Sequence, residues 1–213
     1  MTDPESTPSS ASAHESPYAD EYRFVGQVLR ICEESPGARA ALRSGLRKRV
    51  DDCERMHWVI AGLVPEAHRH YENTERAYYA IAAMIASASA SKSHAGTAPE
   101  QTVRSRRNFG ECLAGAVDAG LLRESSAEAR LRLLTKQSVG GLHRTLPASV
   151  RIVGEQLQFG DWVRLLADLR AWDLDRPRVT RQWHQSFYRT RLRSEREAAD
   201  RADATEHSEG AGE

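Results

Sequence analysis

Apolar residues along this chain recur at steps of three and four, and no sustained run alternates with a period of two between turn residues. Steps of three and four line one face of an α-helix, whereas a half-buried strand needs the shorter period. The clearest stripe follows Asp161, where Trp162, Leu165, Leu166, Leu169 and Trp172 share a face and Asp161 stands where an N-cap belongs. Earlier, Phe24, Val25, Val28, Leu29 and Cys32 form a stripe that Pro36-Gly37 stops, and Ala38, Leu42 and Leu46 begin the next. Tyr71, Tyr78, Ile81, Ala82 and Ile85 are expected on one long helix starting after Pro65. Phe109, Leu113 and Val117 recur at four before Gly120, a residue suited to a helix C-terminus. Ser125 with Glu128 reads as a capping box, Pro147 as a first-turn proline, and Val179, Trp183 and Phe187 as a last helix after Pro177. The expected fold is all-α, with eight or nine helices in two small helical bundles.

Polar stretches punctuate this pattern. Residues 1–20 are Ser, Pro, Ala and acid with little to bury, and read as a disordered acidic tail. Residues 89–103 mix small residues with Gly96 and Pro99 and read as a linker between an N-terminal helical bundle at 21–88 and a C-terminal one at 104–195. Residues 196–213 are expected to be a second disordered acidic tail, after a turn or two of continued helix. Charge follows the same partition. The chain holds 30 basic and 30 acidic side chains, yet residues 1–22 carry five acids and no Lys or Arg, and residues 194–213 carry seven acids against Arg196 and Arg201. The part between is therefore at +10, which suggests an anionic partner.

Several classes fall away. The most apolar run, Tyr78 to Ala90, is too short and too rich in Ala and Ser to span a membrane, and the N-terminus has neither the basic nor the apolar region of a secretory signal. Cys32, Cys53 and Cys112 have no metal-site spacing and read as buried thiols of a cytoplasmic protein. His68 and His70 are two apart and point to different sides of a helix; H-E-x-x-H, G-x-S-x-G and a phosphate-cradling glycine loop are all missing. Neither an enzyme nor a bound cofactor or metal is expected. Trp162, Trp172 and Trp183 read as core anchors, and His57, His143 and His184 as satisfied core or boundary residues. Without exposed aromatics, contact with nucleic acid would fall mainly on phosphate.

Arginine carries the remaining signal. From Ala129 to Gly154 there is no acid but there are Arg130, Arg132, Lys136, Arg144 and Arg151; from Arg176 to Ser194 there is again none, among six arginines. Arg39, Arg43 and Arg47 recur at four as a stripe, followed by Lys48 and Arg49, and Arg104, Arg106 and Arg107 place three charges in four residues. An ordinary solvated face mixes both signs, so acid-free stretches point to a positive surface.

From Arg104 to Arg189 the segments NFGECLAGAV, ARLRLLTKQSVGGLHRTLPASVRIV, FGDWVRLLADLRAWD and VTRQWHQSFYRT occur in an order that resembles the CasB family, the small subunit of the type I-E CRISPR Cascade complex. ALRSGLRKR and ERAYYAIAAMIA agree more loosely, and Asn108-Phe109 stands where the family tends to have Ser-Leu. The resemblance implies a helical, non-catalytic subunit. Its partners would be other Cascade subunits, a second copy of itself, and the R-loop of guide RNA and target DNA, chiefly the displaced single strand. R-loop formation is a near-balanced exchange of duplexes, so modest backbone contacts can tip it. On this reading the candidate nucleic-acid-binding residues are Arg43, Arg47, Lys48, Arg49, Arg104, Arg106, Arg107, Arg130, Arg132, Lys136 and Arg144. Two other readings are a stand-alone helix-turn-helix regulator, with Gly120 in the turn between Leu113 and Leu134, and a scaffold whose basic faces touch only protein.

Overall fold

A computed structural model describes residues 17–88 and 106–209, with side chains through 204. Most of the expected first tail, the 89–103 segment, Arg104 and residues 210–213 lie outside the described residues. Nine α-helices and two short 3-10 turns make up the regular structure there, with no strand among the described residues. They are α1 (Ala19–Glu34), α2 (Pro36–Arg43), α3 (Glu54–Ile60), α4 (Glu66–Arg69), α5 (Glu72–Ser87), α6 (Phe109–Asp118), α7 (Glu124–Thr135), α8 (Val139–Val153) and α9 (Phe159–Glu209).

Local chemistry sets most of the boundaries. Pro36 cannot continue α1 but suits the first turn of α2, and the Ser35 hydroxyl accepts the Ala38 N–H at 3.2 Å. Gly120, at φ +72°, closes α6 in the left-handed region as expected. Asp175 leaves helical geometry (φ −149°, ψ 54°) and divides α9 into two arms; its carboxylate accepts the Arg178 N–H at 3.2 Å and so caps the second arm. The arms fold back on one another. Trp183 on the second arm donates Nε1–H to Asp168 on the first at 2.7 Å, and Arg164 donates to both Asp168 and Gln182. Trp183 is also stacked obliquely between Phe109 and Trp172, at centroid distances of 5.4 and 5.1 Å. The three tryptophans of the expected stripes are buried, and helices from both sides of the 89–105 stretch contribute to one continuous apolar cluster. α5 lies at its centre, packed by α1, α2, α8 and α9.

Five local expectations are corrected. The long helix after Pro65 is two helices, because Tyr71 is extended and serves as an exposed N-cap of α5. Pro147 lies inside α8, which starts eight residues earlier at Val139, after an N-cap Ser138 whose hydroxyl accepts the Gly141 N–H. α7 begins at Glu124, so Ser125 is already helical and Glu128 pairs with Arg132 instead of closing a capping box. Asp161 sits in the first turn of α9, accepting the Gln158 N–H, and not at its N-cap. The 196–213 tail is helical as far as Glu209; alanines at 198, 199, 202 and 204 favour helix there, and Arg201 donates back to the Glu197 carbonyl at 2.9 Å. No helix among the described residues is long and apolar enough to cross a membrane.

Candidate nucleic-acid interface

The basic residues singled out by sequence fall into three settings. Arg43, the last residue of α2, is exposed, but the stripe it was expected to share is broken on both sides. Arg39 turns inward and donates to the Ala86 and Ala88 carbonyls at 3.1 and 3.0 Å, capping the C-terminus of α5. Arg47 lies beyond the helix at φ +67°, exposed, and is followed by exposed Lys48 and Arg49. Arg49 meets Glu72 at 3.1 Å in a solvent-exposed pair that adds little stability.

One turn along α5 from Glu72 stands Arg76, which sequence reasoning passed over. Its Nε is buried and makes no hydrogen bond to any described residue. Burial lowers its pKa first, and the positive charges of Arg49 and Arg144 lower it further against Glu72. Lys48 and Arg76 both act on the buried Cys53 thiol, whose pKa is raised by its burial. Arg49 and Arg144 thus reach Arg76 from the 3-10 turn region and α8, and Lys48 shares Cys53 with it, while Glu72 and Asp52 are the acids among them. Sequence inspection missed Arg76 because Glu72 and Glu75 precede it closely; an acid-free stretch is a criterion along the chain, and this group is assembled across helices.

His143 lies against this patch, 3% exposed on α8, and neither ring nitrogen bonds to a described residue. It is therefore buried but not satisfied. Burial, and secondly the Arg76 charge, push its pKa down to about 4. Because the folded value is below the unfolded one, the unfolded chain binds the extra proton between pH 6.5 and about 4, and stability falls as pH drops through that window. His143→Leu should flatten this acid dependence and, by removing an unpaired polar group, raise stability at neutral pH by about 1–2 kcal/mol. Urea unfolding of both proteins at pH 7 and pH 5 measures it; an unchanged pH dependence would refute the assignment.

The other candidates are placed differently. Arg106 is exposed and lies 5.2 Å from the Tyr18 ring centroid. Arg107 is committed internally, through a 2.6 Å ion pair with the buried Asp161 and a bond to the Gln156 carbonyl at 2.9 Å. Burial opposes its charge, but the hydrogen bond and charge of Asp161 outweigh this and raise its pKa. Arg130, half-buried, and exposed Arg132 lie on α7, with exposed Lys136 just beyond it. Arg132 pairs with Glu128 at 3.4 Å, and its charge, after burial, lowers the pKa of His184 on α9. Trp58, 70% exposed on α3, supplies the aromatic surface that the sequence was not expected to offer. His57 beside it is satisfied by Tyr79 at 2.8 Å, and His184 by Thr135 at 3.1 Å.

Among the described residues no group of three or more His, Cys, Asp or Glu side chains is placed to hold a metal ion, and the three cysteines are free. What the geometry offers is a group of guanidiniums beside a lysine, side chains whose chemistry is suited to carboxylate or phosphate oxygens.

Comparison with known proteins gives the context. No curated protein matches the chain. A subunit of a solved structure described as a CRISPR RNA-guided surveillance complex is 33% identical, covering 85% of this chain and 98% of its own, with a TM-score of 0.70. The same figures hold for a second such complex, described as pre-nicking. The crystal structure of M. ruber CasB, at 24% identity over 82% of this chain and 96% of its own, has a TM-score of 0.64 and shares the fold. The model of the CRISPR-associated protein Cse2 family matches residues 38–188. More than half of the sequence lies within that match, and the chain belongs to the Cse2 (CasB) family of CRISPR-associated proteins.

Proposed function

We propose that this protein is the non-catalytic small subunit of a type I-E Cascade complex and holds the nucleic-acid backbone of the R-loop, chiefly the displaced DNA strand. Its partners on this reading are the other Cascade subunits and a second copy of the chain. The observation that carries the proposal is the gathering of Arg49, Arg76 and Arg144, with Lys48 beside the same Cys53 that Arg76 faces, against only two neighbouring acids, Glu72 and Asp52. Bringing these charges together costs Coulombic energy in the free protein, and a phosphate backbone would relieve it. Arg43, Arg47, Arg106, Arg130, Arg132 and Lys136 would add further positive contacts elsewhere on the protein, all but Arg130 being exposed. Contacts of this kind are sequence-tolerant, which suits a subunit that must accept any displaced strand while base pairing to the guide reads the sequence.

The test is a salt titration of single-stranded DNA binding by the protein alone and within its assembled complex. The log-log slope is roughly −0.7 per phosphate contact on a single strand, so Arg144→Ala should reduce its magnitude by about 0.7, and Arg49→Ala likewise. Both variants should weaken binding uniformly across sequences. Assembly intact with R-loop stability and slope unchanged in the double variant would reject the proposal in favour of a scaffold touching only protein.

A further inference from the structure

The kink of α9 at Asp175 adjoins a cleft of about 520 Å³ that separates it from the N-terminus of α8, a volume suited to a small ligand. Ser138, Val139 and Gly140 line one side, residues 172–174 with Arg176 and Pro177 line another, and Asn73 of α5 joins them. The Gly141 N–H is taken by the Ser138 hydroxyl at 3.3 Å, whereas the Val139 and Gly140 N–H groups have no acceptor among the described residues. Free donors at the positive end of a 15-residue helix favour an anion, and no acid stands in the first turn of α8 to supply one. The side chains gathered there are basic instead. A Cβ on Gly140 would lie 3.7 Å from Arg76 Nη1, so that guanidinium rests against the first turn of α8. Arg176 reaches over from α9 and donates to the Gln137 carbonyl at 3.2 Å, just ahead of the Ser138 cap. Asp173, held by the Asn73 amide at 2.8 Å, is the acid of the lining. An independent sign comes from the buried side of the same turn. His143 is 3% exposed, and neither ring nitrogen bonds to a described residue. Helical side chains lean toward the N-terminus and cover the residues three and four before them, here Gly140 and Val139. The unpartnered imidazole is thus aimed at the turn that Arg76 covers, and the Arg76 charge acts on it.

Two guanidiniums, two free backbone donors and a buried imidazole around one helical turn call for an anion, and the cleft is larger than a phosphate alone would fill. The rest of its lining is apolar, notably Pro177 and Leu174, which is 87% exposed at the kink. A flat ring covers such surface and keeps its polar edge in water. We propose that the cleft binds a nucleotide, its phosphate on the Val139 and Gly140 N–H groups between Arg76 and Arg176, its base against Leu174 and Pro177. The phosphate belongs either to a free nucleotide or to one link of a bound single strand, and the chemistry at the cleft is the same for both. The second source rests on the single-strand reading above; the site itself does not. Arg144, one turn along α8 from Gly140, and Arg49 place further positive charge beside Arg76 for the neighbouring links of a strand.

Backbone amide and histidine ring resonances of the full chain, titrated with thymidine 5′-monophosphate, inorganic phosphate and a short oligothymidylate, test this. Val139, Gly140 and His143 should shift with the monophosphate and the oligomer, and inorganic phosphate should bind the same turn more weakly because it has no base. Val139→Pro removes one donor at the first helical position, where proline is accepted, and Ser138 at ψ 169° already has the extended backbone that precedes proline. It should weaken monophosphate binding about tenfold, the effect of one hydrogen bond to a charged group. Arg176→Ala changes an exposed side chain and should weaken binding comparably, which keeps the test decisive if the proline disturbs the fold; Asp173→Asn should tighten it by removing a like charge. Shifts with the monophosphate and not the oligomer would keep the site and remove the single strand as its source. An oligomer that moves other resonances while Val139, Gly140 and His143 stay still would overturn the cleft and leave the R-loop proposal standing. Silence of these three residues toward every ligand, or equal affinity for inorganic phosphate and the monophosphate, would overturn the proposal outright.

Discussion

Replacing Gly110 by alanine should destabilise the protein by at least about 3 kcal/mol, beyond the usual range for an overpacked core, because the obstacle is backbone. Gly110 lies in the first turn of α6, where that helix crosses the second arm of α9 in the most extensive helix contact among the described residues. A Cβ at this position would stand 1.9 Å from the Trp183 carbonyl oxygen and 2.7 Å from its carbon. A flexible side chain could swing away from such a contact, but a helical carbonyl cannot. The two helices would have to separate, and the Phe109–Trp183–Trp172 stack would lose its packing with them. Asn108 holds the same junction from the other direction: its side chain accepts the Glu111 N–H at 3.2 Å, Glu111 accepts the Asn108 N–H at 2.9 Å, and the Asn108 amide donates to Ser186 at 2.8 Å. Near-ultraviolet circular dichroism and urea unfolding of Gly110→Ala would read the loss; a variant within about 1 kcal/mol of the parent would show that the close approach is not fixed.

How far the sequence announced all this depends on whether a signal is local. The stripes of Trp162 to Trp172 and Val179 to Phe187 are periodic within one helix, and the structure buries them as the spacing implied. Gly120 and Pro36 act through their own backbone torsions, so their roles as stop signals were readable as well. Asn108 with Glu111 is a local capping box too, but it went unread in the sequence, where Asn108 stood out only as a departure from Ser-Leu. Helix boundaries set by tertiary contact were not legible. Tyr71 leaves its helical stripe, and Pro147 is tolerated inside α8, whose missing bond at that proline is offset by packing of the same helix on α5. The arginines divide in the same way. Counting charges along the chain finds exposed Arg43, Arg132 and Arg144, but it cannot tell them from Arg39 and Arg107, which point inward to carbonyl and carboxylate oxygens. Nor can it find Arg76, whose company is supplied by two other elements.

Asp161→Ala should cost about 3–5 kcal/mol, the loss expected when one partner of a buried ion pair is removed. Asp161 is 1% exposed, and its two oxygens serve several donors at once. Oδ1 accepts the Arg107 N–H at 3.0 Å, while Oδ2 accepts the Arg107 guanidinium at 2.6 Å and the Gln158 N–H at 3.0 Å. Alanine would leave two backbone donors unpaired, the Gln158 N–H at the start of α9 and the Arg107 N–H ahead of α6, and strand a half-buried guanidinium. Arg107→Ala removes the charge but spares the two backbone bonds to the carboxylate, so its cost should be smaller, and the double variant should lose less than the two singles combined. The same geometry fixes what Arg107 contributes to nucleic-acid binding. A guanidinium held by Asp161 and the Gln156 carbonyl has most of its donors spent. At a salt and temperature where Arg107→Ala remains folded, its single-stranded DNA salt slope should match the parent protein, in contrast to Arg144→Ala. A shallower slope for Arg107→Ala with stability unchanged would reverse both assignments: the pair with Asp161 would then be dispensable, and Arg107 would belong to the binding surface.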